Sequence, residues 1–419
     1  MKSRSLPLLF LLLALSSVIV GGAGAQSSAD VPAAPASLAL VGARIYPGPD
    51  ALPIFDGTVV VAGGKIVAVG KREEVEVPGG AVVLDCAGLV VTAGFQNSHV
   101  HFTEEKWLDA AHQPAARLAE QLSSMLLRHG FTTVVDTASF LDNTVALRDR
   151  IESGEVAGPR ILTAGAPLYP PRGVPFYLRG TLPAEVLAGL PQPATADEAT
   201  AVVARNVAGG ADIAKLFTGS WVERGRVLPM PAEIAAAGVR AAHGAGKLVF
   251  SHASNVAGLE VAIDAGVDVL AHAIDDTRGL TPAHLERMKA RNMALVPTLK
   301  LFGGDRWLFE IQDFVREYAR AGGQILFGTD VGYLTDYDPT DELVLMATAG
   351  LSWREVLVSL TTAPAARFGE SARRGRVAAG MDADLVVLGR DPVLDPRAFA
   401  DVRYTVRAGR VVHSAAAAR

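Results

Sequence analysis

The sequence predicts an α/β fold, a (β/α)8 barrel of the TIM type with a small β-sandwich domain built from both chain ends. Three observations lead there. Between about Val90 and Phe368, short apolar runs alternate with helical segments, the pattern of parallel strands joined by crossover helices. Strand-like segments lie at both ends of that region, and the simplest architecture joins them into one unit with the barrel inserted between. At 419 residues the chain also exceeds the size at which one hydrophobic core keeps growing, so a barrel plus a smaller domain is expected.

Taken in order, residues 1–25 read as a signal peptide. Lys2 and Arg4 precede an apolar run from Leu6 to Val20, and Ala23-Gly24-Ala25 before Gln26 supplies the small residues of a cleavage site. Fifteen apolar residues are short for a bilayer span, so an exported, periplasmic or secreted protein, free of the membrane after cleavage, is expected. Residues 26–37, rich in Ala, Pro and Ser, read as a flexible lead-in. Residues 38–90 carry strand runs at Leu38 to Ile45, Thr58 to Val61, Ile66 to Val69 and Val82 to Leu84. Ala62-Gly63-Gly64-Lys65 is a hairpin signal, because paired glycines accept the positive φ of a tight turn. Residues 91–368 form the expected barrel, whose eight runs end near Ser98, Asp136, Ala164, Lys215, His252, His272, Thr298 and Asp330. Gly130 reads as a helix stop, Thr281 with Pro282 as a helix start, and Ser352 with Glu355 as a capping box. Residues 369–419 return to strands at Asp384 to Leu388, Val402 to Val406 and Gly409 to His413.

Composition narrows the function classes. Half of the residues are hydrophobic and 20% are charged, which excludes a disordered chain. The formal net charge is −5 and Lys and Arg are scattered, so there is no footprint for nucleic acid, and a small-molecule substrate is the expected partner. Self-association stays open. Cys86 is the single cysteine, which forbids an intrachain disulfide and reads as a small buried hydrophobe.

Active sites of such barrels lie at the C-terminal ends of the strands, so polar residues that close apolar runs are the candidates. Six meet the test. His99 and His101 stand two apart after the first run, a spacing that turns both imidazoles of an extended segment to one side. His252 and His272 close two consecutive runs, and Asp330 closes the eighth, where a carboxylate binds metal or takes a proton. Lys215 ends the fourth run among apolar neighbours that favour its neutral amine. Such an amine adds CO2 to give a carbamate that bridges two cations, the alternative being a lysine snorkelling at the rim. Asp136 reads as a helix N-cap or an acid behind the ligands. Tyr169, Arg172, Trp221, Arg224 and Tyr333 follow the third, fourth and eighth runs and are candidates for substrate contact, with a solvated rim as the alternative for either arginine. His112, His129, His243, His284 and His413 read as surface or packing residues, and Glu104 and Glu105 as a solvated loop.

Gly94-Phe95-Gln96-Asn97-Ser98-His99-Val100-His101 resembles the first-strand signature of the amidohydrolase superfamily, and Lys215, His252, His272 and Gly328-Thr329-Asp330 follow in that family's order. The turns Gly63-Gly64-Lys65-Ile66 and Gly380-Met381-Asp382-Ala383-Asp384-Leu385 are similar to those of its β-sandwich. Within the superfamily the chain is most similar to the imidazolonepropionase-like and prolidase-like branch. The resemblance implies two divalent metal ions, most often zinc, one held by His99, His101 and Asp330, the other by His252 and His272, with carboxylated Lys215 between them. It implies hydrolysis of a C–N amide bond in a dipeptide, an N-acyl amino acid or a cyclic amide, by hydroxide formed from a water whose pKa the metals lower, with Asp330 moving the proton. Lactone or ester hydrolysis on the same site, a single-metal site with unmodified Lys215, or an exported binding protein that lost catalysis are the alternatives. Two departures bear on this. Asn97 stands where the family usually has Asp, and Ala93 where it often has Pro. The third run, Ile161 to Ala166, also lacks the His of some dipeptidase-like relatives, which puts peptide specificity in doubt.

Overall fold

The computed structural model describes residues 37–415. The expected signal peptide lies outside the described residues. So does the expected lead-in except for Ser37, which already belongs to the first strand, paired with Ala62. That strand, β1 (Ser37–Ile45), runs antiparallel to β2 (Ile54–Ala62), which turns into β3 (Lys65–Lys71) at Gly63 and Gly64, with φ of 56° and 75°. β4 (Val82–Asp85) and β5 (Val90–Ala93) both lie parallel to β1.

The middle of the chain builds two parallel ladders. β6 (Phe95–Val100), β7 (Phe131–Asp136) and β8 (Arg160–Thr163) form one. β9 (Ile213–Phe217) follows, and then a small antiparallel hairpin, β10 (Gly219–Glu223) with β11 (Arg226–Pro229). β12 (Leu248–His252), β13 (Val269–Leu270) and β14 (Ala294–Leu295) complete the second ladder with β9, in the order β14-β13-β12-β9. Asp212 N donates to Thr163 O at 2.7 Å, and Leu168 bridges Leu216, which joins β8 to β9. The expected eighth strand is not regular: Ile325 bridges Leu295, Val331 bridges Val100, and Ser98 N donates to Phe327 O at 2.7 Å. Asp330, at its end, adopts φ 59°, outside the extended region.

Helices follow these strands and bury one face each. Ala115–Met125, for example, buries Leu118, Leu122 and Met125, four and three residues apart. Gly130 stops the short turn before β7 at φ 84°, and Ser352 and Glu355 form the capping box that the sequence predicts. Val135, Leu162, Ile213, Phe250, Val269, Ala294 and Leu326, one from each of seven consecutive runs, belong to a buried cluster separate from the larger one beneath the helices.

The chain returns through β15 (Leu385–Leu388), β16 (Val402–Arg407) and β17 (Arg410–Ser414). β15 pairs antiparallel with β5, so strands from both chain ends share one eight-stranded sheet, β17-β16-β15-β5-β1-β2-β3, with β4 on β1. By hydrogen bonding this is a single sheet, with its own core of Leu38, Leu40, Val59, Ile66, Val387 and Val406 among others. Cys86 is buried in that core, and burial pushes its thiol up to about 12, as suits an inert apolar residue. Among the described residues no helix is long and apolar enough to cross a membrane.

Candidate metal centre

Alternation along β6 turns His99 and His101 to one side, and the segment after Phe327 brings Asp330 against them. The Nε2 atoms of the two imidazoles lie 3.3 Å apart, and Asp330 Oδ1 lies 3.2 Å from that of His99 and 2.9 Å from that of His101. Each ring spends its other nitrogen on the backbone: His99 Nδ1 donates to Ala271 O at 2.6 Å and His101 Nδ1 to Ala138 O at 2.9 Å. Those bonds put the proton on Nδ1 and leave a lone pair on each Nε2. Three acceptors thus face one another at hydrogen-bond distance, and Oδ1 of Asp330 accepts no hydrogen bond of good geometry. A proton on one Nε2 or a bound metal ion reconciles such a group.

His272 and His252 extend the cluster. Ring centroids of His99 and His272 are 4.3 Å apart and those of His252 and His272 are 4.8 Å apart, and ligand atoms of His99, His272 and Asp330 all lie within 4.8 Å of one another. Thr298 Oγ1 donates to Pro297 O at 2.9 Å and so accepts from His272 Nδ1 at 2.8 Å, which leaves His272 Nε2 bare. Ser254 Oγ donates to Gly219 O at 3.0 Å and accepts from His252 Nε2 at 3.0 Å, which leaves the opposite nitrogen, Nδ1, bare at His252. The His252 ring also stacks on Phe217, 4.7 Å away.

Lys215, on β9, is 1% exposed, and its Nζ has no hydrogen-bond partner among the described residues. Burial lowers its amine to about 7, against the pull of Asp330 and Asp136. Burial, helped by the Lys215 charge, lowers His99 to about 4 and His252 to about 3, and takes His272 well below its usual value. At His101 burial is outweighed by the Asp330 carboxylate, which raises the imidazole. Asp330 itself, though burial opposes its charge, is held well below the usual carboxylate range by the imidazoles of His99, His101 and His272. Divalent metals require a neutral amine, bare imidazole nitrogens and an ionised carboxylate of their ligands, states that burial favours at Lys215, His99, His252 and His272 and that His101 reaches by giving up the proton it shares with Asp330.

A model of the amidohydrolase family matches residues 90–412. The chain belongs to the amidohydrolase family. Its solved neighbours are prolidase-like and other amidohydrolases. A Bifidobacterium longum protein assigned as a prolidase is 26% identical with a TM-score of 0.74, over 90% of this chain and 95% of that one. A Xaa-Pro dipeptidase with methionine bound in its active site is 22% identical with a TM-score of 0.77, over 90% and 100%. The ochratoxinase of A. niger is 20% identical with a TM-score of 0.73, over 90% and 96%. None of the curated proteins compared with the chain matches it.

Around the candidate metal ligands of this amidohydrolase, Asp136 is fully buried and accepts from Ser139 Oγ at 2.5 Å and Thr163 Oγ1 at 2.6 Å. It caps no helix: the next one, Leu141–Glu152, starts after Phe140, so the N-cap reading is corrected and the acid behind the ligands remains. Glu104 is no free loop acid, since it pairs with Lys106 at 2.8 Å and accepts from the Tyr337 hydroxyl at 2.5 Å. Tyr169 is buried against Phe217 with centroids 4.6 Å apart, and the Trp221 indole N–H donates to Asp275 at 2.5 Å. Tyr333 is 49% exposed and meets Tyr177 edge to face at 5.9 Å. Arg172 and Arg224 are exposed, the latter over the Phe176 ring at 5.5 Å. Of the other histidines, His112, His243 and His284 pair with Asp109, Asp268 and Glu260, at 2.6, 2.8 and 3.4 Å. Sequence reasoning missed Ser254, Thr298, Tyr177, Asp275 and Glu342, whose types are common and whose roles come from distant partners. Asp275, three residues beyond His272, was the most findable.

Proposed function

We propose that this amidohydrolase is an exported, metal-dependent hydrolase that cleaves a C–N amide bond in a dipeptide, an N-acyl amino acid or a cyclic amide. The observation that carries the reading is the convergence of three ligand atoms, His99 Nε2, His101 Nε2 and Asp330 Oδ1, at 2.9 to 3.3 Å. His99, His101 and Asp330 would hold one divalent ion and His252 and His272 a second, most often zinc in a site of imidazoles and carboxylates. Lys215, buried beside them and pushed toward its neutral form, would take up CO2 and serve both ions as a carbamate. When bound, such ions polarise a carbonyl and lower the pKa of water.

The chain's own residues do the rest. Asp330, with one oxygen toward the imidazoles, is placed to accept the proton of the attacking water and return it to the leaving nitrogen. The carbonyls of Ala271 and Ala138 fix the His99 and His101 side chains. Tyr169, Trp221 and Tyr333, with Tyr177, would line the mouth, and Arg172 and Arg224 stand at its rim. This reading takes residues 91–368 as a closed (β/α)8 barrel, supported by the bridges of the eighth run to Leu295 and Val100 and by the seven-run inner cluster. It takes 38–90 with 369–419 as the composite β domain. Export rests on residues 1–25.

Elemental analysis tests the centre. Two metal equivalents are expected in the mature protein and fewer in Lys215→Ala, whereas a metal-free protein of undiminished turnover overturns the reading. Asp330→Asn is expected to keep its fold and lose turnover by about 100-fold or more, the scale of general acid–base catalysis, and full activity in that variant refutes the role. Screening N-acyl amino acids, dipeptides, cyclic amides and lactones assigns the bond.

A further inference from the structure

Asp275 is a carboxylate that the proposed mechanism does not use. It lies three residues beyond His272, on the segment leaving β13, and so at the strand ends that carry the metal ligands. Its one side-chain donor is the Trp221 indole, at 2.5 Å, which ties it to β10 just after Lys215. An indole is neutral. Among the described residues no Lys, Arg or His forms an ion pair with Asp275, whereas its neighbour Asp276 is held by Arg278 through bonds of 2.7 and 2.6 Å. Asp276 and Asp305 add negative potential. A partly buried carboxylate of uncompensated charge, walled by Trp221, is the local chemistry that draws a cation.

We propose that Asp275 binds the protonated amino group of the substrate, so that this enzyme prefers substrates with a free α-amine, such as dipeptides, over N-acylated or neutral cyclic ones. The proposal rests on the hydrolase reading and narrows its substrate class. Burial raises the Asp275 carboxyl to about 7, the strain that an ammonium in contact would relieve. Trp221 adds an aromatic face that also favours a cation.

The test starts from binding, which needs no turnover. L-leucinol carries an amine and no scissile amide, and 4-methyl-1-pentanol is the same molecule without the amine. Calorimetry on the metal-loaded protein is expected to give at least tenfold tighter binding of L-leucinol, and Asp275→Asn, which still accepts from Trp221, is expected to abolish that preference at unchanged metal content. No preference in the wild type, or a preference that survives in Asp275→Asn because the amine binds metal instead, overturns the proposal. In turnover of matched free and N-acetylated dipeptides, the substitution is expected to raise KM for the free-amine member alone, and an equal loss on both marks a merely structural residue. Amine preference without hydrolysis of any amide would sink the hydrolase reading and leave the subsite standing.

Discussion

Asn97 stands where the family resemblance leads one to expect aspartate, and its amide serves two strands at once. Oδ1 accepts from His99 N at 3.1 Å, and Nδ2 donates to Thr329 Oγ1 at 2.7 Å, tying β6 to the segment that delivers Asp330. An aspartate would accept from both partners once the threonine hydroxyl turned to donate. Asn97→Asp is therefore expected to keep kcat/KM within about tenfold and to bind metal normally. Asn97→Leu leaves a buried N–H and a buried hydroxyl unpaired, at about 1–3 kcal/mol each, and is expected to lower both the Tm and the metal content. Equal behaviour of the two variants in elemental analysis and thermal melts would refute the tether.

Three of the eight non-glycine residues with left-handed backbone among the described residues lie where elements end at the centre: Ser254 at φ 59°, Thr298 at 46° and Asp330 at 59°. Asp tolerates this conformation, but for β-branched Thr298 it is strained, at about 1–3 kcal/mol, and must be held by its surroundings. The holder is Glu342, fully buried in the helix Thr340–Thr348, whose Oε2 accepts from Lys300 N at 2.7 Å at the start of the turn Leu299–Phe302. Lys300 Nζ in turn binds Asp336 Oδ2 at 2.8 Å and Asp338 O at 2.7 Å, so the same turn secures the loop after Asp330. Glu342→Gln retains an acceptor and is expected to stay within about tenfold of wild type. Glu342→Leu frees Thr298, loosens its bond to His272, and is expected to lose metal at that ligand first, read as reduced stoichiometry at limiting zinc. Gly328 tolerates no such change: a Cβ there would stand 2.9 Å from His99 Cβ.

At the scale of the molecule, burial of the ligand set couples stability to pH. In metal-free protein His252 titrates at about 3 and His99 at about 4, while the unfolded chain takes up those protons near 6.5. The unfolded state then binds more protons across that window, so stability is complete above 6.5 and falls as the pH drops toward 3. His252→Gln is expected to flatten part of this acid limb in denaturant titrations on metal-free protein, and an unchanged slope would contradict the assignment. The two chain ends add a second global coupling. β15 pairs with β5, Lys65 Nζ bonds Asp382 at 2.5 Å and Arg376 bonds Asp50 at 2.7 Å, so the last strands are locked to the first by ladder and charge together.

The six metal-type residues, the terminal strands and the hairpin at Gly63-Gly64 were legible in the sequence because each depends on local pattern: a polar residue closing an apolar run, a spacing of two, a turn that needs positive φ. The irregular eighth run, the continuity of the terminal sheet, the tautomers of His252 and His272, and the roles of Thr298, Glu342 and Asp275 were not. They depend on which distant carbonyl, hydroxyl or indole arrives beside a side chain, and hydrogen bonds across 26, 42 or 54 residues leave no periodicity to read. Sequence by itself determined which side chains this protein has to offer a metal; tertiary structure alone decided which nitrogen of each imidazole is left free, because that choice belongs to the partner on the ring's far side.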